Sequence, residues 1–101
     1  MRQKKIYLSG KIAGLDEKTY KENFSRAEKR VREIINDNYA IIVNPAMLPP
    51  VHMSWADYLI RDLMLLKDCD IIFMLPGWEK SKGAITERAF ATGAGIEIKY
   101  L

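Results

Sequence analysis

Cysteine and histidine each occur once in the 101 residues, as Cys69 and His52. A lone cysteine closes no internal disulfide, and one cysteine with one histidine cannot assemble a zinc cluster, so neither a staple nor a metal is expected. Long apolar runs are missing too, since nothing approaches the ~20 residues of a membrane-spanning helix. The first residues, MRQKKIYLSG, carry the charge of a secretory leader without its apolar stretch or cleavage site. The expectation is a cytoplasmic chain with no membrane partner. Neither charge sign dominates, with 16 basic against 13 acidic residues and a net charge of +3. Between Asp16 and Asp37, Lys18, Lys21, Arg26, Lys29, Arg30 and Arg32 alternate with Glu17, Glu22, Glu28 and Glu33. That mixture reads as a solvated helix face and not as a stripe for a nucleic-acid polymer. Internal repeats and low-complexity tracts are also lacking.

What is present is core material. With 49% hydrophobic residues, the chain can bury roughly two-thirds of the surface its unfolded form exposes, so residues 1–101 are expected to form one domain. Lys5 to Ser9 is a short apolar run stopped by Gly10, the signature of a strand and its loop. From Asp16 to Asp37 the residues Tyr20, Phe24, Ala27, Val31, Ile34 and Ile35 recur at steps of three and four, which predicts an amphipathic helix. Tyr39 to Val43 is a β-branched strand ended by Asn44-Pro45, and Ala46 to Met53, with its adjacent prolines, is a loop. Ser54 can cap a helix running to Lys67, with Trp55, Tyr58, Leu59, Leu63 and Leu66 on its buried seam. Asp70 to Leu75 is a buried strand closed by Pro76-Gly77, Ala84 to Ala94 a third helix, and Ile96 to Leu101 a last strand.

This β-α-β-α-β-α-β order with near-continuous apolar strands predicts an α/β fold, a small three-layer Rossmann-like or flavodoxin-like sandwich with a parallel sheet of about four strands. Ligands of such sheets bind beyond the carboxyl ends of the strands. The residues to inspect are therefore 9–14, 44–53 and 76–87. The first loop, Ser9-Gly10-Lys11-Ile12-Ala13-Gly14, has neither P-loop nor dinucleotide-binding spacing. In the third loop, Ser81 and Gly83 stand at the start of a helix, where free amides favour phosphate or carboxylate groups, and Glu87 follows about one turn later. An acid there also suits the helix dipole without any function. Asp62, however, lies along the apolar seam of the second helix, where it needs a partner or a task. Asp57 and Arg61 read as an i,i+4 surface pair. Two carboxylates meeting in one crevice are an arrangement that suits glycosyl transfer, one attacking the sugar carbon and the other managing protons or a hydroxyl. Trp55, Tyr58 and Trp78 are candidates for stacking on a base; Trp78, in a crevice loop, is preferred, since Trp55 and Tyr58 also suit core packing. Cys69 is read as inert packing and His52 as a loop residue.

The segments KIYLSGKIAG, W-x-x-Y-x-x-x-D-L-x-x-L-x-x-C-D and LPGWEKSKGAITERAFATGAGIEI resemble the nucleoside 2-deoxyribosyltransferase-like superfamily, in particular its small bacterial and phage branch, DUF4406. The resemblance implies that Glu87 is the nucleophile forming a covalent glycosyl-enzyme, that Asp62 assists in sugar binding and proton handling, and that Tyr7 supports the nucleophile. It further implies that Ser81 and Gly83 receive a 5′-phosphate, that Ser9, Gly10 and Ile12 line the sugar and base, and that no cofactor is used. Lys11 departs from the proline common there. Longer relatives complete the site with C-terminal residues of a neighbouring subunit, for which this chain, ending at Leu101, has no equivalent. A looser similarity, strand then Pro-Gly then Gly-x-x-x-Glu, links the chain to the cytokinin-activating phosphoribohydrolases.

The expected activity is cleavage or transfer of the N-glycosidic bond of a nucleoside or nucleoside 5′-monophosphate, as hydrolase or transferase, by a homo-oligomer. The alternatives are a catalytically inactive nucleotide-binding or phage accessory protein and a purely structural oligomer subunit.

Overall fold

The computed structural model describes residues 2–48 and 52–101. Its elements alternate as β1 (Lys5–Ser9), α1 (Glu17–Ile35), β2 (Ile41–Val43), α2 (Trp55–Leu66), β3 (Ile71–Met74), α3 (Lys82–Ala94) and β4 (Glu97–Tyr100). The strands form a 4-stranded sheet in the order β2-β1-β3-β4, and every pairing is parallel. The α/β sandwich expected from the sequence is therefore observed. Parallel neighbours cannot be joined by a tight turn, so a crossover helix stands between each strand and the next.

The period of two along the strands divides the core. Ile6 and Leu8 of β1, with Ile71 and Phe73 of β3, pack against Phe24, Ala27 and Val31 of α1. Their alternates Tyr7, Ile72 and Met74 pack with Leu66 of α2 and with Ala84 and Ala91 of α3 on the opposite face. Helix termini follow local chemistry. Asp16 Oδ1 accepts from the Thr19 amide at 2.7 Å, and Ser54 Oγ accepts from the Asp57 amide at 3.1 Å. Asn36 closes α1 in the left-handed conformation at φ 52°.

Several boundaries differ from the sequence-based expectation. β2 begins at Ile41 and not at Tyr39, whose amide instead donates to Asp37 Oδ1 in a turn at 2.9 Å. β4 covers Glu97–Tyr100, one residue shorter at each end than expected, and α3 starts at Lys82 because Ser81 caps it. Two 3-10 turns, Pro45–Met47 and Trp78–Lys80, occupy stretches read as loop. Pro45 suits the first position of such a turn, where its missing amide hydrogen has no partner to lose. The adjacent prolines Pro49 and Pro50 of the predicted 46–53 loop lie outside the described residues, as does Met1 of the N-terminal segment weighed as a leader. The predicted buried seam of α2 is also corrected. Only Leu66 is fully buried, while Tyr58, Leu59 and Leu63 are half-buried and Trp55 is 52% exposed. The N-terminal part of α2 faces a cavity instead of the sheet. Among the described residues, no helix is long and apolar enough to cross a membrane.

β1 sits between β2 and β3, so the chain leaves it to one side and later returns on the other. The loops after β1 and β3 diverge at this point and open a crevice beyond the strand ends. They touch at its floor, where a Cβ added to Gly10 would lie 2.9 Å from Leu75 Cβ.

Candidate functional site

The crevice is a cavity of about 550 Å³ lined by residues of the first loop, α1, α2 and the start of α3, including Gly10, Ile12, Asp62, Ser81, Gly83 and Glu87. Its deepest titratable group is Glu87. On α3 the buried residues are Ala84, Glu87 and Ala91, spaced three and four apart, so Glu87 occupies a core position of its helix. Its small neighbours on that stripe let α3 lie close to the sheet, where Tyr7 and Ser9 project from the same face of β1.

The carboxylate of Glu87 is 5% exposed and held at both oxygens. Tyr7 Oη donates to Oε2 at 2.5 Å and Ser9 Oγ donates to Oε1 at 2.7 Å. Burial pushes the Glu87 carboxyl up to about 7, against the opposing effect of these two hydrogen bonds and with a further upward push from the charge of Asp62. Tyr7 is driven well above the ordinary phenol range by its own burial and then by the Glu87 charge, so it remains a donor. A carboxylate oxygen has more than one acceptor direction, so one donor on each leaves lone pairs for another atom.

Asp62 stands on the α2 wall. Burial raises its carboxyl, and the adjacent Arg61 opposes that rise by donating Nε and Nη2 to Oδ1 at 3.1 and 2.8 Å. The expected Asp57–Arg61 pair is thus replaced by Arg61–Asp62, an ion pair held beneath a cation–π contact of Arg61 with Tyr58 at 5.1 Å. Arg61 also lines the cavity, where its charge is better placed against the partly buried Asp62 than against solvated Asp57. At the mouth, Ser81 Oγ accepts from the Ala84 amide at 3.1 Å, and the first turn of α3, with Ser81, Lys82 and Gly83, lines the cavity.

The structure brings together Glu87, Tyr7, Ser9, Asp62, Gly10, Ile12, Ser81 and Gly83, but not all in the expected places. Ser9 is buried beneath Glu87 and does not line the cavity; its hydroxyl is spent on the carboxylate. Trp78 is also absent from the cavity wall. Its ring packs on the far side of α3 near Tyr100, with centroids 6.0 Å apart, and under the Arg88 guanidinium at 5.1 Å. The αL turn at Gly77, φ 85°, directs the chain into the 3-10 turn that turns Trp78 away. Trp55 and Tyr58, the stacking candidates ranked below Trp78 because they also suited the core, line the cavity. The position of Trp55 just after the Ser54 cap, at the crevice end of a helix, was the available signal. Cys69 is buried, its Sγ donates to the Leu65 carbonyl at 3.4 Å, and burial raises its thiol to about 11. Among the described residues, no cluster of His, Cys, Asp and Glu is arranged to hold a metal ion.

Residues 4–100 match the family described as a domain of unknown function, DUF4406. No curated protein matches the chain. Among solved structures, the 2-deoxyribosyltransferase from Leishmania mexicana shares the fold, with a TM-score of 0.64 and 17% sequence identity, over 97% of this chain and 63% of that one. The chain thus spans less than two-thirds of the length of that structure.

Proposed function

The chain belongs to the DUF4406 family, and from that premise we propose that it cleaves or transfers the N-glycosidic bond of a nucleoside or nucleoside 5′-monophosphate through a covalent glycosyl-Glu87 intermediate. One observation carries this reading: a carboxylate at the bottom of a cavity, buried yet held ready by two hydroxyl donors. An ordinary acidic residue in a helix would be solvated or ion-paired, whereas Glu87 is held by two hydroxyls and, among the described residues, forms no ion pair.

In the first step, an ionised Glu87 oxygen forms a bond to C1′ as the bond from C1′ to the base nitrogen breaks, its electron pair leaving with the base. A proton from Asp62 or water neutralises that nitrogen. Tyr7 and Ser9 orient the nucleophile by each holding one of its oxygens. In the second step, water or the N–H of another base bonds to C1′ as the bond from C1′ to the Glu87 oxygen breaks, its proton passing to Asp62 or water, so that the free sugar or a new nucleoside leaves and Glu87 is restored as carboxylate. Hydrolase and transferase therefore share the first step. Trp55 and Tyr58 offer aromatic surface to the base, and Ser81 and Gly83, with the amides of the first turn of α3, offer a seat for a 5′-phosphate.

The proposal includes self-association. Ile60 and Met64, 59% and 58% exposed, stand one turn apart on the outer face of α2 beside the cavity and suit burial against a second copy.

The test is incubation with deoxynucleosides, ribonucleosides and their 5′-monophosphates, followed by chromatography for released base. Release by the wild type that disappears in Glu87→Gln is the expected result. Binding of a nucleotide without release by either protein would replace this reading with that of a non-catalytic nucleotide-binding protein.

A further inference from the structure

A second cavity, of about 480 Å³, opens beside the first. On α1 its wall is the stripe Asn23, Arg26, Ala27 and Arg30, while the first cavity takes the neighbouring stripe Glu17, Tyr20, Lys21 and Phe24. Each set follows an i, i+3, i+4, i+7 spacing, so one helix presents two adjacent faces to two separate hollows. Opposite α1, the second cavity is closed by Leu75-Pro76-Gly77 after β3 and by Lys11 and Lys80.

Among the described residues, its lining contains four cationic side chains, Lys11, Arg26, Arg30 and Lys80, and no Asp or Glu side chain, while Leu101 at its wall brings one main-chain carboxylate against the four cations. Among the described residues, none of the four takes part in an ion pair, although ion pairs occur elsewhere on the surface. Arg26 is held at the wall by its Nη2, which donates to Asn23 Oδ1 at 2.6 Å. Lys11 Nζ donates to the Lys80 backbone carbonyl at 3.5 Å, which ties the Lys11 ammonium to the turn that carries Lys80. Arg26, Arg30 and Lys80 are exposed and Lys11 is half-buried, so the four charges meet at an open hollow whose field draws an anion in. The guanidinium groups also supply the forked donors that match phosphate oxygens.

We propose that this second cavity is a binding site for a small, multiply phosphorylated anion, separate from the Glu87 crevice. Its volume is that of a site for a small molecule, and its charge matches two or three linked phosphates better than one. Because Lys11 and Lys80 line both cavities, an anion bound here draws on cations at the rim of the Glu87 crevice. The inference does not depend on the reaction assigned to Glu87.

Tripolyphosphate titrated into the full chain tests it, by calorimetry and by amide chemical shifts. The expected result is saturable binding with Kd below ~1 mM, shifts at Ala27 and Gly77, and affinity reduced about tenfold or more in the Arg26→Glu, Arg30→Glu double variant. Lys82→Gln, which removes a cation from the first cavity alone, is expected to change it less than about twofold. Circular dichroism checks that the double variant is folded. Should the charge reversal unfold the chain, the Arg26→Gln, Arg30→Gln pair, which keeps much of the side-chain bulk, must weaken binding in the same direction. Unchanged affinity in the folded variant, shifts confined to Gly83 and Ala84, or no saturation by ~1 mM would overturn the proposal.

Discussion

Tyr7 and Glu87, 80 residues apart in the chain, are joined by a 2.5 Å hydrogen bond from phenol to carboxylate beneath the crevice floor. Both groups are buried, both are pushed toward their neutral forms, and the bond between them works against that push on the acid. The relationship makes Glu87 a group whose ionisation is costly for the fold and adjustable by its neighbours.

Stability should therefore depend on pH through Glu87 in a definite direction. Its folded-state value of about 7 lies above the ordinary 4.5, so the folded protein holds the proton more tightly. The sign follows: this contribution is greatest at pH below 4.5 and is lost as pH rises through about 7. The full difference is about 3 kcal/mol. Glu87→Gln removes it, so at pH 8 the variant is expected to be the more stable protein and at pH 4 nearly equal to wild type. Denaturant unfolding of both proteins across that range measures the difference; parallel curves would contradict the assignment.

The rate of base release should rise with pH as Glu87 ionises, with a midpoint in kcat/KM near its value of about 7. Two substitutions are expected to move this midpoint in opposite directions. Tyr7→Phe removes a hydrogen bond that lowers the Glu87 value, so the midpoint moves up. Asp62→Asn removes a negative charge that raises it, so the midpoint moves down. A pH profile in which both variants shift the same way would separate Asp62 from the Glu87 environment.

Trp55 and Trp78 are expected to divide their roles. Trp55→Ala should raise KM about tenfold with little change in unfolding midpoint, since its ring is half exposed at the cavity. Trp78→Ala should lower stability, because it strips the contacts with Arg88 and Tyr100, and leave KM close to wild type. Steady-state kinetics with thermal unfolding distinguishes the two.

Gly10→Ala should destabilise the protein by about 1–3 kcal/mol. The added methyl would sit 2.9 Å from Leu75 Cβ, an atom fixed to the backbone and unable to swing aside. The loops after β1 and β3 would have to part, which urea unfolding and the loss of crevice activity would both register.

Replacing Ile60 and Met64 by glutamate should turn an oligomer into monomers. Sedimentation velocity of the wild type and the double variant measures this, and a monomeric wild type would remove the proposed contact.

The repeating order of elements was legible because burial imposes it locally: alternation along β1 and steps of three and four along α1 are visible in any stretch of ten residues. So were the caps at Asp16 and Ser54, which need only a side chain and an amide three residues away. Glu87 could be singled out as an acid near a helix start, and its place between Ala84 and Ala91 marks the buried stripe. The two tryptophans were harder. Trp55 opens an amphipathic helix and Trp78 stands in the polar stretch Gly77 to Lys82, and the side on which each falls depends on where α2 overhangs the sheet and how the Gly77 turn swings the chain.

The sequence by itself determined that helices alternate with parallel strands and that loops rich in glycine and polar residues gather at the strand ends, because hydrophobic periodicity and capping act over a few residues. Only the tertiary structure decided that Tyr7 and Ser9 meet Glu87, that Arg61 turns from Asp57 to Asp62, and that four cations surround a second hollow. Those outcomes depend on strand order and on how closely α1 and α3 approach the sheet. These are long-range consequences of packing, and no short stretch of residues encodes them.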